Sequence, residues 1–140
     1  MKTALIIQPG SFGDILLCAP IALFYHEAGY KVFWPAQKKF ESTIKQLGYV
    51  TYIELDSKIL DSDWLRSDVM KILPSIRNYD LVLNLADRGP HRTAQTSEEN
   101  FEQCKYRLSG LDIEEKHNLK WVRNTDKELK LYSLMTKTDD

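Results

Sequence analysis

Four short runs rich in apolar and β-branched residues alternate along this chain with stretches of helical spacing, and the connections between them are short. That alternation is the strongest constraint the sequence carries, because strands separated by helices pair in parallel through crossovers rather than as hairpins. Ala4 to Ile7 is an apolar run closed by Pro9 and Gly10, the pattern of a strand buried on both faces. From Asp14 to Ala28 the residues Ile15, Leu16, Cys18, Ala19, Ala22 and Leu23 recur at helical spacing, with Gly29 as the stop and Pro20 predicted to kink the helix or delay its regular part. Tyr30 to Trp34 predicts a second strand closed by Pro35, Lys38 to Leu47 a second helix ended by Gly48, and Val50 to Leu55 a third strand. Leu60 to Ile76 reads as helical in part, with Pro74 disturbing its end, and Asp80 to Leu85 as the fourth strand. Right-handed crossovers between these pieces give an α/β, Rossmann-like three-layer sandwich with a mostly parallel sheet in the order 3-2-1-4.

The rest of the chain is less regular. A helix is expected from about Ser97 to Leu108, stopped near Gly110, and Leu119 to Arg123 is a candidate fifth strand. A last helix starts near Thr125, where Thr125 and Glu128 form a Ser/Thr-x-x-Glu capping box ahead of Leu129, Leu131, Tyr132 and Leu134. The organisation expected is one domain over residues 1–123 followed by a C-terminal helix over 124–140, and 140 residues suit a single core.

Nineteen basic and 20 acidic side chains are mixed along the sequence for a net charge of −1, so there is no positive field to draw in a phosphate backbone, and nucleic acid is disfavoured. The apolar run from Ile15 to Tyr25 falls short of the ~20 residues that span a bilayer and is flanked by Asp14, His26 and Glu27. The N-terminus enters a strand pattern without the features of a secretion signal, so the expected location is the cytoplasm. Cys18 and Cys104 lack C-x-x-C spacing and fall in helical patterns, which predicts reduced, mostly buried thiols. His26, His91 and His117 are scattered with no acidic pair at ligand spacing, so no metal site is expected.

In a parallel α/β sheet, ligands bind beyond the carboxyl ends of the strands where the strand order reverses, which here lies between the loops after strands one and four. The first loop, Gln8-Pro9-Gly10-Ser11-Phe12-Gly13-Asp14, has two glycines that permit tight turns and leave amides facing a ligand at a helix N-terminus. Asp14 is equally readable as a plain helix cap. The full G-x-G-x-x-G is absent and no acidic residue closes the second strand at Phe33-Trp34-Pro35-Ala36, which disfavours a nicotinamide cofactor; no Gly-Lys-Ser/Thr follows for a P-loop. The second loop, Asp87-Arg88-Gly89-Pro90-His91-Arg92-Thr93, gathers two arginines, a histidine and a carboxylate. Arg88 and Arg92 can clamp phosphate or carboxylate through their forked donors, or remain solvated loop charges, and His91 can exchange protons near neutral pH or simply be exposed.

ALIIQPGSFGDILLCAP resembles the N-terminus of the heptosyltransferase-like glycosyltransferases, family nine, and YDLVLNLADRGPHRTA is similar to that family's fourth strand and following loop; together they cover about a quarter of the chain. The resemblance implies the acceptor-side domain of an inverting enzyme that moves a sugar from a nucleotide-sugar donor to a glycan or lipid-linked acceptor, with no further cofactor. It places a general base on Asp14 and acceptor contacts on Gly10, Ser11, Phe12, Gly13, Asp87, Arg88, His91 and Arg92. It also implies a second, donor-binding domain facing this one, and work at the cytoplasmic membrane surface. Because the sequence stops at Asp140, near where a donor domain would open, the expectation is a half that is inactive alone: an excised piece, one subunit of a split enzyme, or a degenerate domain. Loss of a packed second domain would expose residues such as Phe12, Trp34 or Trp121. The competing expectation is a non-catalytic module that binds an anionic ligand or a partner protein. A receiver-like domain is disfavoured because Gln8-Pro9 stands where acidic residues would cluster.

Overall fold

The computed structural model describes residues 1–8, 12–55, 78–85 and 100–137. Within them lie β1 (Lys2–Ile7), α1 (Phe12–Glu27), β2 (Tyr30–Gln37), a 3-10 turn (Lys38–Phe40) leading into α2 (Glu41–Leu47), β3 (Thr51–Leu55), β4 (Leu81–Asn84), α3 (Phe101–Ser109), a second 3-10 turn (Ile113–His117) and α4 (Thr125–Lys137). The four strands form one parallel sheet in the order β3-β2-β1-β4. This is the Rossmann-like α/β arrangement that the strand-helix alternation predicts. The expected helix within Leu60 to Ile76 lies outside the described residues.

Sequence pattern explains the burial. Ala4, Leu5, Ile6 and Ile7 of β1 are all buried, as a central strand covered on both faces must be. On one face Ala4 and Ile6 join Val32, Trp34, Ala36 and Leu83 against Ile15, Cys18, Ala19 and Ala22 of α1 and Tyr106 of α3. Two phenols sew the helices together: Tyr106 donates to the Leu17 carbonyl at 2.8 Å, and Tyr25 donates to the Ser109 carbonyl at 2.6 Å.

Several elements differ from expectation. α1 runs through Pro20 as one helix from Phe12, so its regular part is not delayed; the ring removes the amide that would bond the carbonyl of Leu16, a residue on the exposed side. β2 continues past Trp34 to Gln37, with Pro35 inside it. Registered pairs with β1 end at Leu5↔Phe33, while pairs with β3 begin at Phe33↔Thr51. Beyond Phe33, β2 is therefore bonded on one side only, where alternate residues need no amide hydrogen and proline is tolerated.

Leu119 to Arg123 is not a strand; its link to the fold includes the Val122 amide donating to the Gln46 carbonyl at 2.7 Å and Tyr49 donating to the Lys120 carbonyl at 2.8 Å. α3 starts at Asn100, whose side chain accepts from the Gln103 amide while the Gln103 side chain accepts from the Asn100 amide, a full capping box. α4 starts at Thr125 as expected, but its cap lies one residue earlier. Asn124, not Thr125, accepts from the third helical amide, Lys127, at 3.1 Å, and Glu128 pairs with Arg123 at 2.5 Å instead of reaching back to the cap.

Candidate functional site

The site is built where β1 and β4 end. Gln8 follows β1 and is 3% exposed, and Leu85 follows β4 with its amide bonded to the Ile7 carbonyl at 3.0 Å. Between these ends lies Lys105 of α3, 2% exposed, whose ammonium donates to Gln8 Oε1 and to the Leu85 carbonyl at 2.9 Å. Burying an ammonium is costly unless charge-assisted hydrogen bonds replace its water, and these acceptors supply two of them. The Gln8 carbonyl also accepts from Trp34 Nε1 at 2.8 Å. The residue that opens the first loop is thus held from β2 and α3 at once.

Asp14 sits in the first turn of α1, partly exposed, one helical turn before the fully buried Cys18. Burial pushes the Cys18 thiol up to about 12, against the pull of the Lys105 cation and together with the Asp14 carboxylate. Cys18 therefore stays a neutral thiol near pH 7 and is no nucleophile. Cys18 and Cys104 are both buried thiols outside any disulfide, as their helical settings predict.

Phe12 opens α1 with 52% of its surface exposed and meets Phe40 edge to face, ring centres 4.8 Å apart. Gly13 has open space where a side chain would lie. Of the site residues expected from sequence, Phe12, Gly13 and Asp14 therefore gather at the start of α1, whereas Gly10, Ser11, Asp87, Arg88, His91 and Arg92 lie outside the described residues. On the far side of the sheet from Leu83 and Leu85, Asn84 Oδ1 is buried with no hydrogen-bond partner among the described residues, a placement that costs stability.

Of the three residues expected to be uncovered, Phe12 and Trp121 are exposed but Trp34 is not. Trp34 belongs to the extension of β2 and fills the space between the sheet and α1, so it is a core residue. A hollow of about 500 Å³ lies at the opposite, amino edge of the sheet, between Met1, Gly29 to Val32 and Gly48 to Thr51. It is remote from the β1 and β4 ends and holds none of the expected site residues.

Lys105 is the site residue that sequence reasoning missed. A single lysine among Cys104, Tyr106 and Leu108 carries no sign of burial, since lysine on a helix is ordinarily solvated. Its partners, a glutamine side chain and a main-chain carbonyl, leave no charge pattern to find.

No helix among the described residues is long and apolar enough to cross a membrane. No family model, curated protein or solved structure matches the chain. The fold defines a class: a parallel α/β domain whose order reverses beside β1, with a carboxylate in the first turn of α1 and a buried ammonium held between the ends of β1 and β4.

Proposed function

We propose that this domain is the acceptor-side half of an inverting glycosyltransferase of the heptosyltransferase-like kind, with Asp14 as general base. The observation that carries the reading is the position of Asp14: partly open, in the first turn of α1, beside the point where the strand order reverses. Asp14 takes the proton of an acceptor hydroxyl as that oxygen forms a bond to the anomeric carbon of a nucleotide sugar. The bond from that carbon to the nucleoside diphosphate breaks on the opposite side, its electron pair leaving with the diphosphate, and the anomeric configuration inverts.

The acceptor is a glycan or a lipid-linked sugar, and the donor is held by a second domain or subunit facing the carboxyl end of the sheet. Arg88, His91 and Arg92 follow β4 in sequence and supply cations for an anionic acceptor. Such a protein works in the cytoplasm, at the membrane surface where lipid-linked acceptors are presented.

The test supplies a donor-binding domain, in cis or in trans, and assays sugar transfer by wild type and Asp14→Asn. The substitution removes the base at constant shape, so kcat should fall about 100- to 10,000-fold. Equal rates would take Asp14 out of the mechanism and leave a binding module.

A further inference from the structure

We propose that Phe12 is a stacking platform for a sugar ring, presenting its aromatic surface to the C–H face of the acceptor unit next to the one that Asp14 deprotonates. The proposal rests on the transferase reading above and adds to it the kind of contact that selects the acceptor.

Isolated exposed apolar side chains are ordinary on protein surfaces. Phe12 differs in three respects. It stands at the start of α1, two residues from the proposed base, at the edge of the sheet where ligands of such folds bind. Its ring is braced: it meets Phe40 at an interplanar angle of 74°, and Phe40 is itself buried, with Lys39 Nζ 5.0 Å from its centre. One turn further along the same side of α1, Leu16 is 42% exposed and lengthens the apolar surface.

The chemistry fits a pyranose. Such a ring carries hydroxyls around its rim and a patch of polarised C–H bonds on one face, and an aromatic ring offers its negative face to those hydrogens. Binding costs little ordering when the ring is already held, as Phe40 holds this one. Two residues are roughly 200° of turn at roughly 100° per residue, so Phe12 and Asp14 project roughly 160° from each other around the start of the helix. One sugar unit does not reach both, so the stacked unit is the neighbour of the reacting one.

The experiment uses the whole chain and two probes, with saturation-transfer NMR as the readout. Methyl β-galactoside has a rigid ring with a C–H face; sorbitol has similar hydroxyls and no fixed face. Saturating the protein's aromatic protons should transfer to the hydrogens on one face of the galactoside and not to sorbitol. The signal should drop at least fivefold in Phe12→Ala, persist in Phe12→Trp and persist in Asp14→Asn. Circular dichroism on each variant checks the fold, which this half-exposed position should leave intact. Absence of transfer from the wild-type chain, equal transfer to sorbitol, or an unchanged signal in Phe12→Ala would overturn the platform. A platform that passes while Asp14→Asn keeps full transferase activity would sink the base and leave the sugar contact standing.

Discussion

Lys105 concentrates more of the local energetics than its place in the sequence suggests. Replacing it by methionine keeps the bulk of the chain but strips a charged donor from each of two buried acceptors, Gln8 Oε1 and the Leu85 carbonyl. The expected cost is about 2–5 kcal/mol, read as a lowered urea midpoint at constant m-value. Gly48 makes a second residue-scale case. Its φ of 83° lies in the left-handed region, and a Cβ there would come within 2.7 Å of Val122 Cγ2. Gly48→Ala should cost about 1–2 kcal/mol in backbone strain alone by the same measurement, with the displacement of Val122 adding to it. The two differ in legibility. Gly48 is readable as a helix stop from its position after Leu47, whereas nothing near Lys105 in the sequence announces a buried charge.

Among the elements, the helices differ sharply in what supports them. α3 has a complete capping box and packs against α1, so Asn100→Ala should lower stability by about 1 kcal/mol in thermal or chemical unfolding. α4 is 13 residues long, and its residues 125–136 are all exposed, Leu129, Leu131, Tyr132, Leu134 and Met135 included. A helix of that length with so little buried surface is marginal in water. Its amides should exchange with solvent orders of magnitude faster than those of β1 and β2 in a hydrogen-exchange experiment.

The strands and their order were legible because an apolar run such as Ala4 to Ile7 has few alternatives once helices separate it from the next. Boundaries were less so. Pro35 looks like a strand end until the stagger between β1 and β3 shows β2 bonded on one side only. The Thr125 to Glu128 box looks complete until Arg123, which sequence spacing does not weigh, takes the glutamate. Leu119 to Arg123 has strand composition but pairs with no strand among the described residues. At the candidate site, the place of Phe12, Gly13 and Asp14 at the start of α1 was legible, because the loop glycines and the helical spacing after Asp14 coincide, and the burial of Lys105 was not.

Across the molecule, the ionisable groups among the described residues point to alkali as a weak side. Burial raises the Cys18 thiol and the Tyr49 phenol each to about 12, and raises Tyr106 as well, from ordinary values of 9.0 for cysteine and 10.0 for tyrosine. A folded-state value above the unfolded one means that the unfolded chain releases its proton first. The stabilisation is complete below about pH 9 and is lost as pH climbs toward the folded-state values. A circular dichroism titration should therefore show cooperative unfolding beginning above pH 9. On the acid side, Asp80 is held below the usual carboxylate range chiefly by the Thr3 amide at 2.7 Å, and it is exposed. Its contribution is present above the unfolded value and fades as pH falls through the folded one, a mild effect given its exposure.

The ammonium enclosed between the ends of β1 and β4 has a practical corollary. Amine-acylating reagents modify lysines in proportion to their access, so Lys105 should be spared while its solvent-facing counterparts are tagged. Peptide mapping of acylation over time would then turn this one side chain into a built-in gauge of how often the carboxyl end of the sheet comes apart.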